Sequence, residues 1–195
     1  MVKNVCSCLD KYGIQRNPPI IKLGAVNAKR RYFRWNAEIG FGSFHPLLNM
    51  RRDELQQALG EVRAVYAELA KRPLARSCLA RTECCRFQLT GLTPQLTKGE
   101  ALVAAKGFRA TGRKEIPESA DGACPMLKRE TGRCLIYADR PFGCRTHFCA
   151  AAGGPYARKE VLDLIRRLEE VDRKLGGDGP RKIQAAVEDA LAELG

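Results

Sequence analysis

Three features predict a mainly α-helical chain with irregular cysteine-rich loops. Apolar residues recur at helical spacing in three segments, 50–72, 158–175 and 183–194. A Thr-x-x-Glu capping box at Thr97 and Glu100 marks one further helix start. Seven of the nine cysteines crowd into two short stretches, 78–85 and 124–149, joined by a polar, turn-rich connection at 109–123.

Residues 1–28 read as irregular. Cys6 and Cys8 form a C-x-C pair there, either extra ligands or plain reduced thiols, and Asn17-Pro18-Pro19 forces an extended or turned backbone. In KRRYFRW (29–35), strand periodicity puts Arg30, Tyr32 and Arg34 on one face and Arg31, Phe33 and Trp35 on the other. Arg30, Arg31, Tyr32 and Arg34 are candidate nucleic-acid contacts, since arginines beside aromatics can grip phosphates and stack on bases. The competing reading is a half-buried strand with Phe33 and Trp35 in the core. The glycine-rich run ending at His45 and Pro46 lacks the spacing of a phosphate loop.

The clearest helix spans 50–72. Asn49 is its expected cap, Asp53 and Glu54 suit its N-terminal dipole, and Leu55, Leu59, Val62, Tyr66 and Leu69 form its apolar face. Lys71 and Arg72 lie near its end and Pro73 stops it. The helix capped by Thr97 is expected to run to about Lys106, with Gly107 as terminator. Gly153-Gly154-Pro155 closes the second cysteine stretch. The helix over 158–175 carries Val161, Leu164, Ile165, Leu168, Val171 and Leu175 and ends at Gly176 and Gly177. Pro180 sits near the start of the last helix, which carries Ile183, Val187, Leu191 and Leu194. This pair either packs on the core as a hairpin or mediates self-association.

The chain of 195 residues carries a formal net charge of +12. Residues 1–72 hold 13 Lys and Arg against 6 Asp and Glu, residues 73–157 hold 13 against 7, and residues 158–195 hold 8 against 9. This basic protein is therefore basic in its first two segments only. Such a field attracts nucleic acid or an acidic protein partner, or it offsets the negative charge of clustered thiolates. No run approaches the roughly 20 apolar residues of a membrane span. The N-terminus has no secretory pattern. The expectation is a cytoplasmic protein with no membrane partner. In that reducing compartment clustered cysteines serve metal or redox chemistry more often than disulfides.

Thiolates are soft ligands suited to zinc and to iron–sulfur clusters. The candidate metal ligands are Cys78, Cys84, Cys85, Cys124, Cys134, Cys144 and Cys149, with His147 as an additional one. Cys124, Cys134 and Cys144 are evenly spaced by ten residues, as two successive loops folding onto one centre would be. One tetrahedral zinc takes four ligands. Seven cysteines therefore leave open a 4Fe–4S cluster, two zinc ions sharing thiolates, or one zinc with redox-active spare thiols. Arg140 and Arg145 flank the block as candidate outer groups that donate to the sulfurs or pair with Asp139. Tyr137 reads as packed core.

The block Cys124-Pro125-Met126-Leu127, Gly132, Cys134, Ile136-Tyr137, Arg140-Pro141, Cys144-Arg145 and Cys149 resembles the signature of the YkgJ-like cysteine-cluster proteins, the CxxCxxCC-type putative zinc- or iron-chelating domain. Upstream, Cys78, Cys84 and Cys85 fit the first, third and fourth cysteines of C-x-x-C-x-x-C-C, with Arg81 where the second would stand. The resemblance covers roughly residues 75–152 and implies binding of Zn²⁺ or an iron centre such as a 4Fe–4S cluster. Some larger relatives are linked to flagellin lysine methylation, so a component of a methylase-like modifying enzyme is one alternative. A nucleic-acid-binding module whose metal is structural is the other. The expected architecture is a small metal-centred domain at 73–157, between a basic N-terminal segment (1–72) and a C-terminal helical hairpin (158–195). The expected function is metal binding with a structural or redox role, its substrate and oligomeric state open.

Overall fold

The computed structural model describes residues 52–72, 76, 82–117, 119 and 121–195. Cys6, Cys8, Arg30, Arg31, Tyr32, Arg34 and Cys78 lie outside the described residues, as do Asn49 and Pro73.

The first helix, α1 (Arg52–Lys71), buries Leu59, Val62, Val65, Tyr66 and Leu69, with Asp53 and Glu54 in its first turn and Lys71 in its last. The short α2 (Phe87–Thr90) ends at Gly91, in the left-handed conformation that glycine accepts without strain. Helix α3 (Lys98–Ala110) is the centre of the fold. Gly99, Glu100, Ala101, Leu102, Val103, Ala104, Ala105 and Phe108 are all buried along it, so it is covered on every side. Around it pack α1, α5 (Leu162–Lys174) and α6 (Ile183–Leu194), and α1 also packs on α5. A single-turn helix, α4 (Phe142–Thr146), sits in the second cysteine stretch. Small residues on α3 permit this closeness. A Cβ at Gly99 would stand 2.9 Å from Val171 Cγ1 and 3.0 Å from Val62 Cγ2, so α3 can enter between α1 and α5 only on a glycine.

Two short antiparallel pairs tie the loops. Strand β1 (Gln95–Leu96) pairs with β4 (Arg181–Lys182), Gln95 opposite Lys182. Strand β2 (Leu127–Lys128) pairs with β3 (Arg133–Cys134), Leu127 opposite Cys134. The first pair works with the buried Asp172 of α5. Its carboxylate accepts Lys98 N–H at 2.6 Å and Gly179 N–H at 2.9 Å. A negative group thus stands at the positive start of α3, and the turn leading to α6 is fixed to the same atom pair. On the surface, Arg167 of α5 bridges Glu61 and Glu68 of α1, while Arg72 reaches Asp163. Such pairs contribute little each in water.

The elements differ from the sequence reading at three points. Helix α3 runs past Gly107, which does not end it. Glycine is needed there because Asp139 lies against it, with Oδ2 at 2.7 Å from an ideal Cβ. The helix expected from 158 opens as a 3₁₀ turn at Arg158–Glu160, and α5 proper follows Val161. Between Pro180 and the last helix, two residues first pair with β1, and Ile183 N–H continues the pairing onto Pro94 O at 3.0 Å. No helix among the described residues is long and apolar enough to cross a membrane.

Replacing Asp172 by Ala should leave two backbone donors unmet in the interior. The expected loss is about 2–4 kcal/mol of unfolding free energy. Urea denaturation measures it, and a change as small as that of an exposed carboxylate such as Asp163 would contradict the assigned role.

Candidate metal centre

The second cysteine stretch begins with a main-chain tie to the first. Cys124 N–H donates to Cys85 O at 2.6 Å, and Arg86 forms an antiparallel bridge with Ala123. Cys84 and Cys85 occupy a 3₁₀ turn, Glu83–Cys85, entered through Thr82 with φ 63°. Their sulfurs stand 4.0 Å apart. Two ligands of one tetrahedral zinc would stand about 3.8 Å apart, from Zn–S bonds of about 2.3 Å.

From Cys124 the chain turns at Pro125 and Met126 into the β2–β3 hairpin. Met126 is buried and anchors this turn in the core. Its carbonyl accepts Leu135 N–H at 2.8 Å, and Gly132 at φ +63° closes the hairpin. Leu127 N–H donates to Cys124 O at 3.0 Å. The Met126 and Leu127 amides oppose the rise in proton affinity of the Cys124 thiol, and the Ile136 amide does the same for Cys134.

Cys144 is reached through α4. The preceding loop is braced by Arg145, whose Nε donates to Arg140 O at 2.7 Å and whose Nη2 donates to Ala138 O. Its guanidinium lies over the Tyr66 ring, 4.2 Å from the centroid. Arg145 thus holds carbonyls and an aromatic face, while Asp139 pairs with Arg63. Arg140 lies over the Tyr137 ring at 4.3 Å. Its Nε is buried with no hydrogen-bond partner among the described residues. Tyr137 is not core: in the bend after β3 it is 56% exposed, while the neighbouring Ile136 is buried.

The charges report which sulfurs are neighbours. Burial pushes the Cys124 thiol up to about 12, opposed by its two backbone donors and reinforced by Cys134 and Cys84. Burial also raises Cys134 and Cys144, and Cys144 is raised further by Cys124, Cys134 and Cys84. Arg140 pulls Cys84, Cys134 and Cys144 the other way. The adjacent pair splits: a hydrogen bond from Cys85 lowers exposed Cys84 to about 7, and its partner Cys85 is raised. Cys84, Cys85, Cys124, Cys134 and Cys144 are therefore one electrostatically coupled set. His147 caps the end of α4, and burial lowers its imidazole, favouring the neutral form that binds metals. Cys149, half-buried, begins the 3₁₀ turn at Ala150–Ala152. Among the described residues no three His, Cys, Asp or Glu side chains are closed to the distances of a single ion.

The residues present fit a thiolate-bound group. Backbone amides lower the proton affinity of two sulfurs, and Arg140, whose buried Nε has no acceptor among the described residues, acts on three. Sequence reasoning missed these amides, and it took Glu100 for a helix-start residue only. The spacing Cys-Pro-x-Leu was the one available signal for the amides. In metal-free protein at neutral pH, iodoacetamide should label Cys84 ahead of Cys124 and Cys144, as peptide mass spectrometry would read. Equal rates would contradict the exposed and buried positions described here.

Residues 76–164 match the family model described as CxxCxxCC, putative zinc- or iron-chelating domain. No curated protein and no solved structure matches the chain. The match takes in both cysteine stretches and extends into the start of α5. Over residues 76–164, a little under half of its length, the chain is thus similar to the CxxCxxCC family of putative zinc- or iron-chelating domains.

Proposed function

We propose that this protein chelates a zinc ion or an iron centre through thiolates drawn from Cys84, Cys85, Cys124, Cys134 and Cys144, with Cys78, His147 and Cys149 as the further ligands that the sequence offers. The reading is carried by one observation. Cys84, Cys85, Cys124, Cys134 and Cys144 form one coupled set, and the backbone amides of Met126, Leu127 and Ile136 lower the proton affinity of sulfurs that burial alone would keep protonated. Such donors favour a charged sulfur over a neutral one. Arg140 adds a positive charge to the same region and holds a buried N–H for a sulfur acceptor. A bound metal would replace the thiol protons and join the two cysteine stretches, now held by the Cys124 N–H to Cys85 O hydrogen bond and the Arg86–Ala123 bridge.

The five coupled sulfurs exceed the four that one tetrahedral zinc or one 4Fe–4S cluster takes. One of them is thus a spare thiolate at a single centre. Cys84 suits that place, because it is exposed while Cys124 is buried. The role is structural or redox, in a reducing, cytoplasmic setting where free thiols persist.

Anaerobic purification with metal and sulfide analysis tests the proposal. Zinc in a colourless protein, or iron with sulfide and broad visible absorption, is expected. Cys134→Ser and Cys144→Ser should each lose metal and lower the thermal midpoint, whereas Cys6→Ser should retain both. Full metal content in all three variants would overturn the ligand set. A protein loaded in cells and carrying neither metal would overturn the function.

A further inference from the structure

One of the two buried carboxylates among the described residues meets the cysteine block at one atom. Glu100 is 3% exposed. Its Oε2 accepts Thr97 N–H at 3.1 Å and the Thr97 hydroxyl at 3.0 Å, both at the start of α3. Its Oε1 faces elsewhere. It accepts Phe142 N–H at 2.7 Å and the Tyr66 hydroxyl at 3.3 Å. Phe142 is the first residue of α4, two positions ahead of Cys144. One turn of helix has almost no stability of its own. The start of α4 has no side-chain cap within it, and Pro141 O accepts both Cys144 N–H and Arg145 N–H. The first amide of α4 thus depends on an oxygen that α3 carries and α1 steadies.

We infer that Glu100 is a positioning residue for the metal centre: through Phe142 N–H it sets where α4 begins, and so where the Cys144 sulfur stands relative to Cys124 and Cys134. The inference rests on the metal-chelating reading above. The two ends of the carboxylate make it separable from a plain structural role. Thr97→Ala disturbs only the Oε2 end and the α3 start. Glu100→Gln presents an amide N–H₂ to a set of donors at one end or the other, and it removes the charge that all four bonds share. Tyr66→Phe removes one donor from Oε1 and keeps the ring beneath Arg145.

The experiment compares these three variants with wild type, each checked for folding by circular dichroism and thermal midpoint. Zinc affinity is read by competition with a chromophoric chelator, ligand geometry from the visible spectrum of the Co²⁺-loaded protein, and Cys144 alkylation rate in the metal-free protein. Glu100→Gln should bind zinc about tenfold to a hundredfold more weakly, the usual range for groups that orient a ligand. Its Co²⁺ spectrum should shift and its Cys144 should alkylate faster. Thr97→Ala, with a comparable fall in midpoint, should keep wild-type affinity and spectrum. Equal affinity losses in the two variants, or an unchanged spectrum in Glu100→Gln, would overturn the inference. Should Glu100→Gln not fold, Tyr66→Phe decides: weaker zinc binding supports the inference and wild-type binding overturns it. Wild type that takes up neither zinc nor Co²⁺ would overturn the parent reading and this one with it. Wild type that binds while the variants behave alike overturns this one alone.

Discussion

A carboxylate removed from water must be met by hydrogen-bond donors, and in this protein that requirement falls on Glu100. Burial raises its proton affinity, and the Phe142 and Thr97 amides, the Thr97 hydroxyl and the Tyr66 hydroxyl oppose that rise. Those donors belong to α1, to the start of α3 and to the start of α4. None can move far without leaving a buried oxygen unmet, which costs several times what a surface ion pair contributes. The Tyr66 phenol is held well above its usual pKa by burial and then by the Glu100 charge, so it stays a donor. Its ring carries the Arg145 guanidinium, which in turn holds the carbonyls of Ala138 and Arg140. The loop between Cys134 and Cys144 is thereby referred to the helical core.

Asp172 does similar work at the opposite flank of α3. It binds the Lys98 and Gly179 amides and leaves the α3 start without a free anion site. The cleft beside it, lined by Gly176, Gly177, Asp178 and Gly179 with Lys98 and Arg181, therefore already has its natural anion in place. Two buried acids anchor one central helix, and α1, α5 and α6 pack around it. The cysteine loops have little regular structure, and they gain precision from this frame.

The electrostatics of the cysteine region are a balance. Burial and mutual repulsion hold the inner sulfurs protonated. Backbone amides and Arg140 draw them toward thiolate, without matching the strength of burial. A bound cation would reverse the sign of the local charge problem. The basic excess of residues 73–157 is consistent with a centre whose thiolates carry net negative charge.

Much of this was legible in the chain itself. The apolar spacing of Leu59, Val62, Tyr66 and Leu69 defined α1. Thr97 with Glu100 marked the α3 start, and Gly176 ended α5. The cysteine spacing with Pro125, Tyr137 and Arg140-Pro141 pointed to the family and to metal. These features are local, and local backbone preference or ligand chemistry is enough to read them. What tertiary structure alone decided is non-local. Glu100 looked like a capping residue with its side chain at a helix end. Only the approach of α1 and α4 turned its second oxygen inward. Gly107 looked like a terminator, yet the Asp139 side chain, 32 positions later, is what demands a glycine there. Tyr137 looked like core, yet in the bend after β3 it is Ile136 that is buried and Tyr137 that is exposed. Sequence periodicity records what each residue prefers. Which buried donors face which buried acceptor depends on segments brought together from distant parts of the chain.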